Sequence, residues 1–306
     1  MSHGRPVHGW VILDKPVGLG STQAVGRIRR LFDAEKAGHA GTLDPLASGV
    51  LPVALGEATK TIPFIVAHDK RYRFTVRFGV ATTTDDMEGE PIAEAAARPE
   101  DSAIAAALPG FVGRILQTPP AYSAIKLGGK RAYALARAGE TPELAARRVD
   151  VMDLRLVDRP DPDHAVLEVD CGPGTYVRSI ARDLGRALGV PAHVSALRRL
   201  SVGRFTVERA WTFDALNKSL EMPAGFGHSP APLEALAPVE TALDDIPALA
   251  VTEAEAARMK HGQTLRIAGD SSGPDSGKVC VTAAGKPVAI AEISSGEVRA
   301  LRVFNL

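Results

Sequence analysis

The chain has 306 residues, 45% of them hydrophobic and 24% charged, with 36 basic and 36 acidic side chains. That length accommodates a sizeable core and two domains, and no apolar run approaches the length needed to span a bilayer. The balance excludes a generic polycation, although residues 1–210 carry 28 Lys+Arg against 24 Asp+Glu and the remainder 8 against 12, which permits a basic surface on the first part.

The apolar strand Trp10 to Leu13 runs into a tight turn, LDKPVG, where Lys15 is either a plain turn residue or a lysine held near a cleft. The spacing of Val25, Ile28, Leu31 and Phe32 predicts a helix over Ser21–Phe32, capped by Ser21 or Thr22, with Arg27 and Arg30 on another face. Next comes HAGTLDPLASGVLPV, residues 39–53, which holds one carboxylate, Asp44. Pro45 pushes residue 44 away from helical conformation, and Gly41 lets the backbone approach something closely. Asp44 then either caps a helix that starts at Pro45 or stands ionised in a cleft. YRFTVRFGV, from Tyr72 to Val80, alternates strictly and reads as a half-buried strand. In GVATTTDDMEG, residues 79–89, Asp86 belongs to a polar hairpin loop or to a paired-carboxylate site.

Residues 117–148 combine rigid prolines with Lys126, Lys130, Arg131, Arg137, Arg147 and Arg148, interleaved with Tyr122 and Tyr133. That mixture suits a nucleic-acid backbone, and a solvated helix face is the competing reading. Ala165, Leu167, Val169 and Cys171 mark a second alternating strand. It passes through CGPG into a helix from about Thr175 to Leu188, with Gly189 as its stop. Arg178 lies in the first turn of that helix, where anions are attracted, and a surface salt bridge with Asp183 or a neighbour is the competing reading. Residues 217–238 contain four prolines and read as a connection, and 248–306 read as short strands of a small β-rich domain. Cys171 and Cys280 form no CxxC pair and read as reduced thiols of a cytosolic protein. The histidines show no metal-ligand spacing, so no metal is expected, and the N-terminus MSHGRPVHGW has no signal-peptide core.

Taken in order, DKPVGLGS, GHAGTLDPLASGVLPVALGEATK, KRYRFTVRFGVATTTDDMEG, QTPPAYSAIKLGGKRAY, CGPGTYVRSIARDLG and HVSALRRLSVG resemble the bacterial TruB family. These are tRNA pseudouridine synthases that act on uridine 55 in the T loop. The resemblance covers roughly residues 9–210, is most specific at GHAGTLDP, and departs from the family at CGPG. It implies an α+β fold with a central mixed, largely antiparallel sheet. The catalytic domain would be 1–240, with an RNA-contacting insertion near 117–148 and the Pro-rich connection 217–238. A small PUA-like RNA-binding domain, 241–306, would follow.

The same resemblance assigns roles. Asp44 matches the catalytic aspartate, Tyr72 the tyrosine that stacks on the base near C5, and Arg178 the arginine that pairs with the aspartate, with Asp86 anchoring it from the other side. His39 matches the histidine that fills the vacated base stack. Tyr176 and Leu197 match residues of the base pocket, and Lys15 and Lys60 lysines near the cleft. The reaction it implies needs no cofactor, takes the T arm of tRNA as partner, and asks for no membrane and no obligate protein partner, so a cytoplasmic monomer is expected. A glycosidase or nucleosidase using Asp44 with Asp86, a non-catalytic RNA-binding protein, and the guide-RNA branch of the superfamily are the competing classes.

Overall fold

The computed structural model describes residues 4–123, 125–138, 140, 144–221, 233–266 and 276–306. Among these residues a ten-stranded mixed sheet organises the first part of the chain. Its main path uses β1 (Gly9–Lys15), β2 (Ala47–Leu55), β3 (Lys70–Phe78), β4 (Gly113–Gln117), β5 (Arg147–Asp161), β6 (His164–Cys171), β7 (Ala192–Val202) and β8 (Leu236–Ala237). The spatial order is β8-β1-β2-β7-β3-β6-β5-β4, and β2 with β7 is the one parallel pair along it. Ala37–His39 adds to β2 and Phe205–Thr206 to β7.

Alternation gives this sheet one apolar face along its length, and β1, β2 and the end of β7 carry apolar residues on the other face as well. Val11 and Leu13 of β1, Leu51 and Val53 of β2, Phe74 and Val76 of β3 and Leu197 of β7 fill one core. Helix α1 (Ser21–Leu31) and helix α2 (Val177–Ala187) close it with Ala24, Ile28, Val177, Ile180 and Leu184. Trp10 and Ile12, Val50 and Ala54, and Val202 point the other way into a second core. Gly189, at φ +68, ends α2 as the sequence predicts.

A five-stranded sheet forms the end of the chain: β9 (Ala248–Ala250), β10 (Leu265–Arg266), β11 (Gly277–Ala283), β12 (Lys286–Ser294) and β13 (Glu297–Val303), in the order β9-β11-β12-β13-β10. A helix, Glu253–Lys260, also belongs to it, started by a capping box between Thr252 and Glu255. The β-rich reading of 248–306 did not include that helix. Cys280, Ile290 and Phe304 of this unit enter the second core, beside Trp10 and Val239. The tail is therefore seated on the central sheet through a shared apolar cluster.

Part of the Pro-rich connection lies outside the described residues. Its start is helical, within Phe213–Glu221, and its end supplies β8, which pairs with β1. In the 117–148 insertion the backbone forms a two-stranded turn, Lys126–Leu127 with Lys130–Arg131, followed by a short helix, Ala132–Arg137. The side chains of Lys126, Lys130, Arg131 and Arg137, expected to face phosphates, lie outside the described set. No helix among the described residues is long and apolar enough to cross a membrane.

Candidate active site

The loop carrying Asp44 is pinned by α1. Ser21 Oγ donates to the Leu43 carbonyl at 2.7 Å and accepts the Leu43 N–H at 2.8 Å. Gly20 is the N-cap of α1, so the hydroxyl expected to cap the helix fastens the loop instead. After Asp44 the chain makes a turn at Pro45 and Leu46 and enters β2, with the Ala47 N–H donating to the Asp44 carbonyl at 3.1 Å. The helix that Asp44 could cap does not form, because the apolar run that follows enters the sheet, where it is buried on both faces.

Arg178, buried at the start of α2, reaches that loop. Nη2 lies 2.9 Å from Asp44 Oδ2 and Nη1 3.3 Å from Asp86 Oδ2. The same nitrogens donate to the carbonyls of Tyr122 and Thr84, both at 2.9 Å. Two carboxylates and two carbonyls thus fix the guanidinium plane. Asp86 is itself gripped: its Oδ1 accepts the Thr84 hydroxyl and the Glu88 N–H, the latter at 3.0 Å. The loop 79–89 is a support for Arg178 as well as a turn. Only Asp44 opens outward, its side chain 38% exposed against 3% for Asp86 and 5% for Arg178.

Tyr72 lies on β3 in a rung that crosses four strands, Gly49 of β2, Arg199 of β7, Tyr72 and Val169 of β6. The next rung is Ala47, Leu197, Phe74 and Leu167. Leu197 therefore sits beside Arg199 on the core face, where it is buried. Burial pushes the Tyr72 phenol above its ordinary value, while the charge and hydrogen bond of Arg199 oppose the rise. Lys15, fully buried at the end of β1, donates to the carbonyls of Pro16 at 2.8 Å and Leu19 at 2.7 Å. Burial lowers its pKa to about 8, against the pull of Asp44. His39 ends the strand beside β2, and its Nδ1 is buried without a protein partner. Burial and the Arg199 charge lower its pKa, so the ring is neutral at neutral pH.

Tyr176 caps α2 two residues before Arg178. Its N–H donates to Gln117 Oε1 at 2.8 Å and its carbonyl accepts Gln117 Nε2 at 3.1 Å. The Arg147 guanidinium covers its ring at 5.1 Å. Lys60 is the exception to the expected grouping. Its Nζ bonds Glu57 Oε2 at 2.6 Å and the Val303 carbonyl at 2.8 Å. It is turned to the seam with the tail, so its expected place near the cleft is corrected. Arg199 and Gln117 are site residues that the sequence reading passed over. For Arg199 the signal was parity: in HVSALRRLSV it shares the core-facing set with Leu197.

A mixed sheet presenting a tyrosine, with one outward carboxylate held by a buried arginine, is the α+β architecture of the pseudouridine synthases. A chain in the solved structure of an H/ACA RNP bound to a substrate RNA containing 2′-deoxyuridine matches it with a TM-score of 0.74 and 26% identity, over 97% of this chain and 85% of that one. Family models described as TruB family pseudouridylate synthase (N terminal domain) and tRNA pseudouridylate synthase B C-terminal domain match residues 29–177 and 178–244. The chain belongs to the TruB family. It is similar to the tRNA pseudouridine synthase B of Bradyrhizobium diazoefficiens, at 56% identity over 99% of this chain and 87% of that one. The Caulobacter vibrioides protein of the same name is 48% identical over 99% and 98%.

Proposed function

We propose that the chain isomerises uridine 55 in the T loop of tRNA to pseudouridine, with Asp44 as the catalytic carboxylate. The relatives named tRNA pseudouridine synthase B support the reaction and the tRNA substrate. The observation that carries the assignment of Asp44 is its ion pair with buried Arg178 at 2.9 Å, which aims the one outward carboxylate of the cluster. A glycosidase pair needs one carboxyl set up to donate a proton. Here Asp44 and Asp86 bind the same guanidinium, so the second carboxylate holds the arginine rather than serving as an acid.

In the reaction the N1–C1′ bond breaks, the base turns, and C5 bonds to C1′. C5 then loses its proton and N1 gains one, so the product is an isomer and no oxidant or reductant enters. Asp44 acts as nucleophile or starts the elimination. Tyr72 stacks on the base and takes the C5 proton. The target base is extruded from the loop, at a cost of a few kcal/mol, roughly, offset by protein contacts. Neutral His39, with its unpartnered Nδ1, fits the vacated stack, and Tyr176 and Leu197 wall the base. The tail serves as a PUA-like RNA-binding unit, and the basic insertion near 117–148 meets phosphates. The enzyme works as a cytoplasmic monomer without an obligate protein partner.

The test is incubation of purified protein with unmodified tRNA transcript, followed by carbodiimide mapping with primer extension. A stop at position 55 is the expected result. Release of free uracil would replace this reading with the glycosidase, and unmodified RNA with retained binding would replace it with the non-catalytic binder.

A further inference from the structure

Arg199 is 1% exposed and lies in the middle of the sheet. Its neighbours across the strands are Tyr72 on one side and Gly49 on the other. Nε donates to the Val50 carbonyl at 2.7 Å and Nη2 to the Gly41 carbonyl at 3.0 Å. Two glycines make room for it. A Cβ at Gly49 would meet the Arg199 carbonyl oxygen at 2.1 Å, and one at Gly41 would stand 3.3 Å from Nη1, with Gly41 at φ +90. Arg199 therefore ties together β2, Tyr72 of β3 and the loop that leads to Asp44.

Besides the Tyr72 phenol, its bonded acceptors among the described residues are carbonyls, so no bonded carboxylate balances the buried charge. The groups that feel this charge are Lys15, His39, Lys70 and Tyr72. Of these, only the Tyr72 phenol can answer it by becoming an anion. We propose that Arg199 is the positioning residue for the C5 proton transfer, holding the Tyr72 oxygen in place and stabilising its phenolate form.

This rests on the reading of Tyr72 as the C5 base. In the step, the phenolate oxygen takes the C5 proton and the C5–H pair becomes the C5=C6 bond. The N1=C6 pair withdraws to N1, which takes a proton from solvent, and the phenol returns its proton to water. The charged and titratable groups around Tyr72 are Asp44 on its loop, Cys171 on β6 and Arg199 on β7. Asp44, Cys171 and burial all disfavour the phenolate, so Arg199 is the counterweight.

The chain has four tyrosines, so uniform replacement by 3,5-difluorotyrosine gives four assignable fluorine signals. Fluorination also makes the phenol more acidic, which brings a raised transition into reach. In Arg199→Gln the Tyr72 transition should move up by about one to three pH units, the size of a lost neighbouring charge. In Arg199→Lys, which keeps the charge without the fork, it should fall between, and Lys carries the test if Gln does not fold. The other three signals should stay in place.

In turnover, Arg199→Gln should lower kcat with KM for tRNA unchanged, and the isotope effect from C5-deuterated uridine should grow. In a Tyr72→Phe background the same change should add less than about twofold, since both act on one step. An unmoved Tyr72 signal overturns the role of Arg199. A moved signal with an unchanged isotope effect overturns the role of Tyr72 as base, and with it the proposal.

Discussion

The two faces of the central sheet use the same strands for opposite purposes. On one face, buried Lys15 and Arg199 and half-buried Tyr72 are charged or polar groups near the Asp44 loop and α2. On the other, Trp10, Ile12, Val50 and Val202 meet Leu243, Ile290 and Phe304 in an apolar layer. Neighbouring residues such as Leu51 and Val50 belong to different cores, so a shift of one residue in register would exchange the wall that carries Tyr72 and Arg199 for the one that seats the tail. The first face spends stability to hold charges in place, whereas the second gains it by excluding water.

The largest effect that separates them is expected at Asp44. Asp44→Asn should abolish pseudouridine formation and leave tRNA binding and the melting temperature nearly as they are, because the amide keeps the shape and loses the nucleophile. Turnover within tenfold of the parent would remove Asp44 from the mechanism. Tyr72→Phe should keep RNA binding, since the ring remains, and should stall after glycosidic cleavage or lose turnover. A fully active Phe variant would leave stacking as the only role of that side chain.

On the apolar face the pattern should reverse. Phe304 is fully buried in the second core, and Phe304→Ala should cost about 3–5 kcal/mol of stability. Its kcat, corrected for the folded fraction, should match the parent. A large fall in kcat with stability unchanged would show that the seam reaches the chemistry. Ending the chain near residue 245 would remove Cys280, Ile290 and Phe304 from the second core. The division at 240/241 predicts that such a core remains folded and competent. The seam adds that it should also bind a hydrophobic dye and melt lower.

How much of this was legible in the sequence differs by residue. YRFTVRFGV announced β3 because one face is buried and the other is not, and pattern follows burial directly. β5, from Arg147 to Asp161, gave no such signal: it is largely exposed, and its register with β6 shifts repeatedly. The helix at Glu253–Lys260 was announced by Thr252 and Glu255 and still passed over in favour of strands. At the site, local chemistry left Asp44, Asp86 and Arg178 each open to a plain reading. The likeness of ordered motifs to a family singled them out. Lys60 shows the limit of that likeness, since its carbonyl partner is Val303, 243 positions away, and only the folded chain brings the two together.

The smallest expected effect is a slope. Lys15 has a pKa near 8 in the folded protein and 10.5 when unburied. Below about pH 8 both states carry the ammonium, and the folded state bears its burial cost in full. Between about pH 8 and 10.5 the folded protein sheds a proton that the unfolded chain keeps, so the unfolded state binds more protons and stability rises with pH. Lys15→Met removes this contribution. The stability of the parent relative to the variant should therefore increase across that window and level off above it. Lys70, also lowered to about 8 by burial, adds a slope of the same sign to both proteins and cancels in the difference. Phe304→Ala, on the apolar face, should differ from the parent by an amount that does not vary with pH. The measurement is urea unfolding of the three proteins at stepped pH. A parent–Met difference that stays flat from pH 8 upward would mean that Lys15 is not held as a buried ammonium, and the electrostatic contrast between the two faces would lose its lysine.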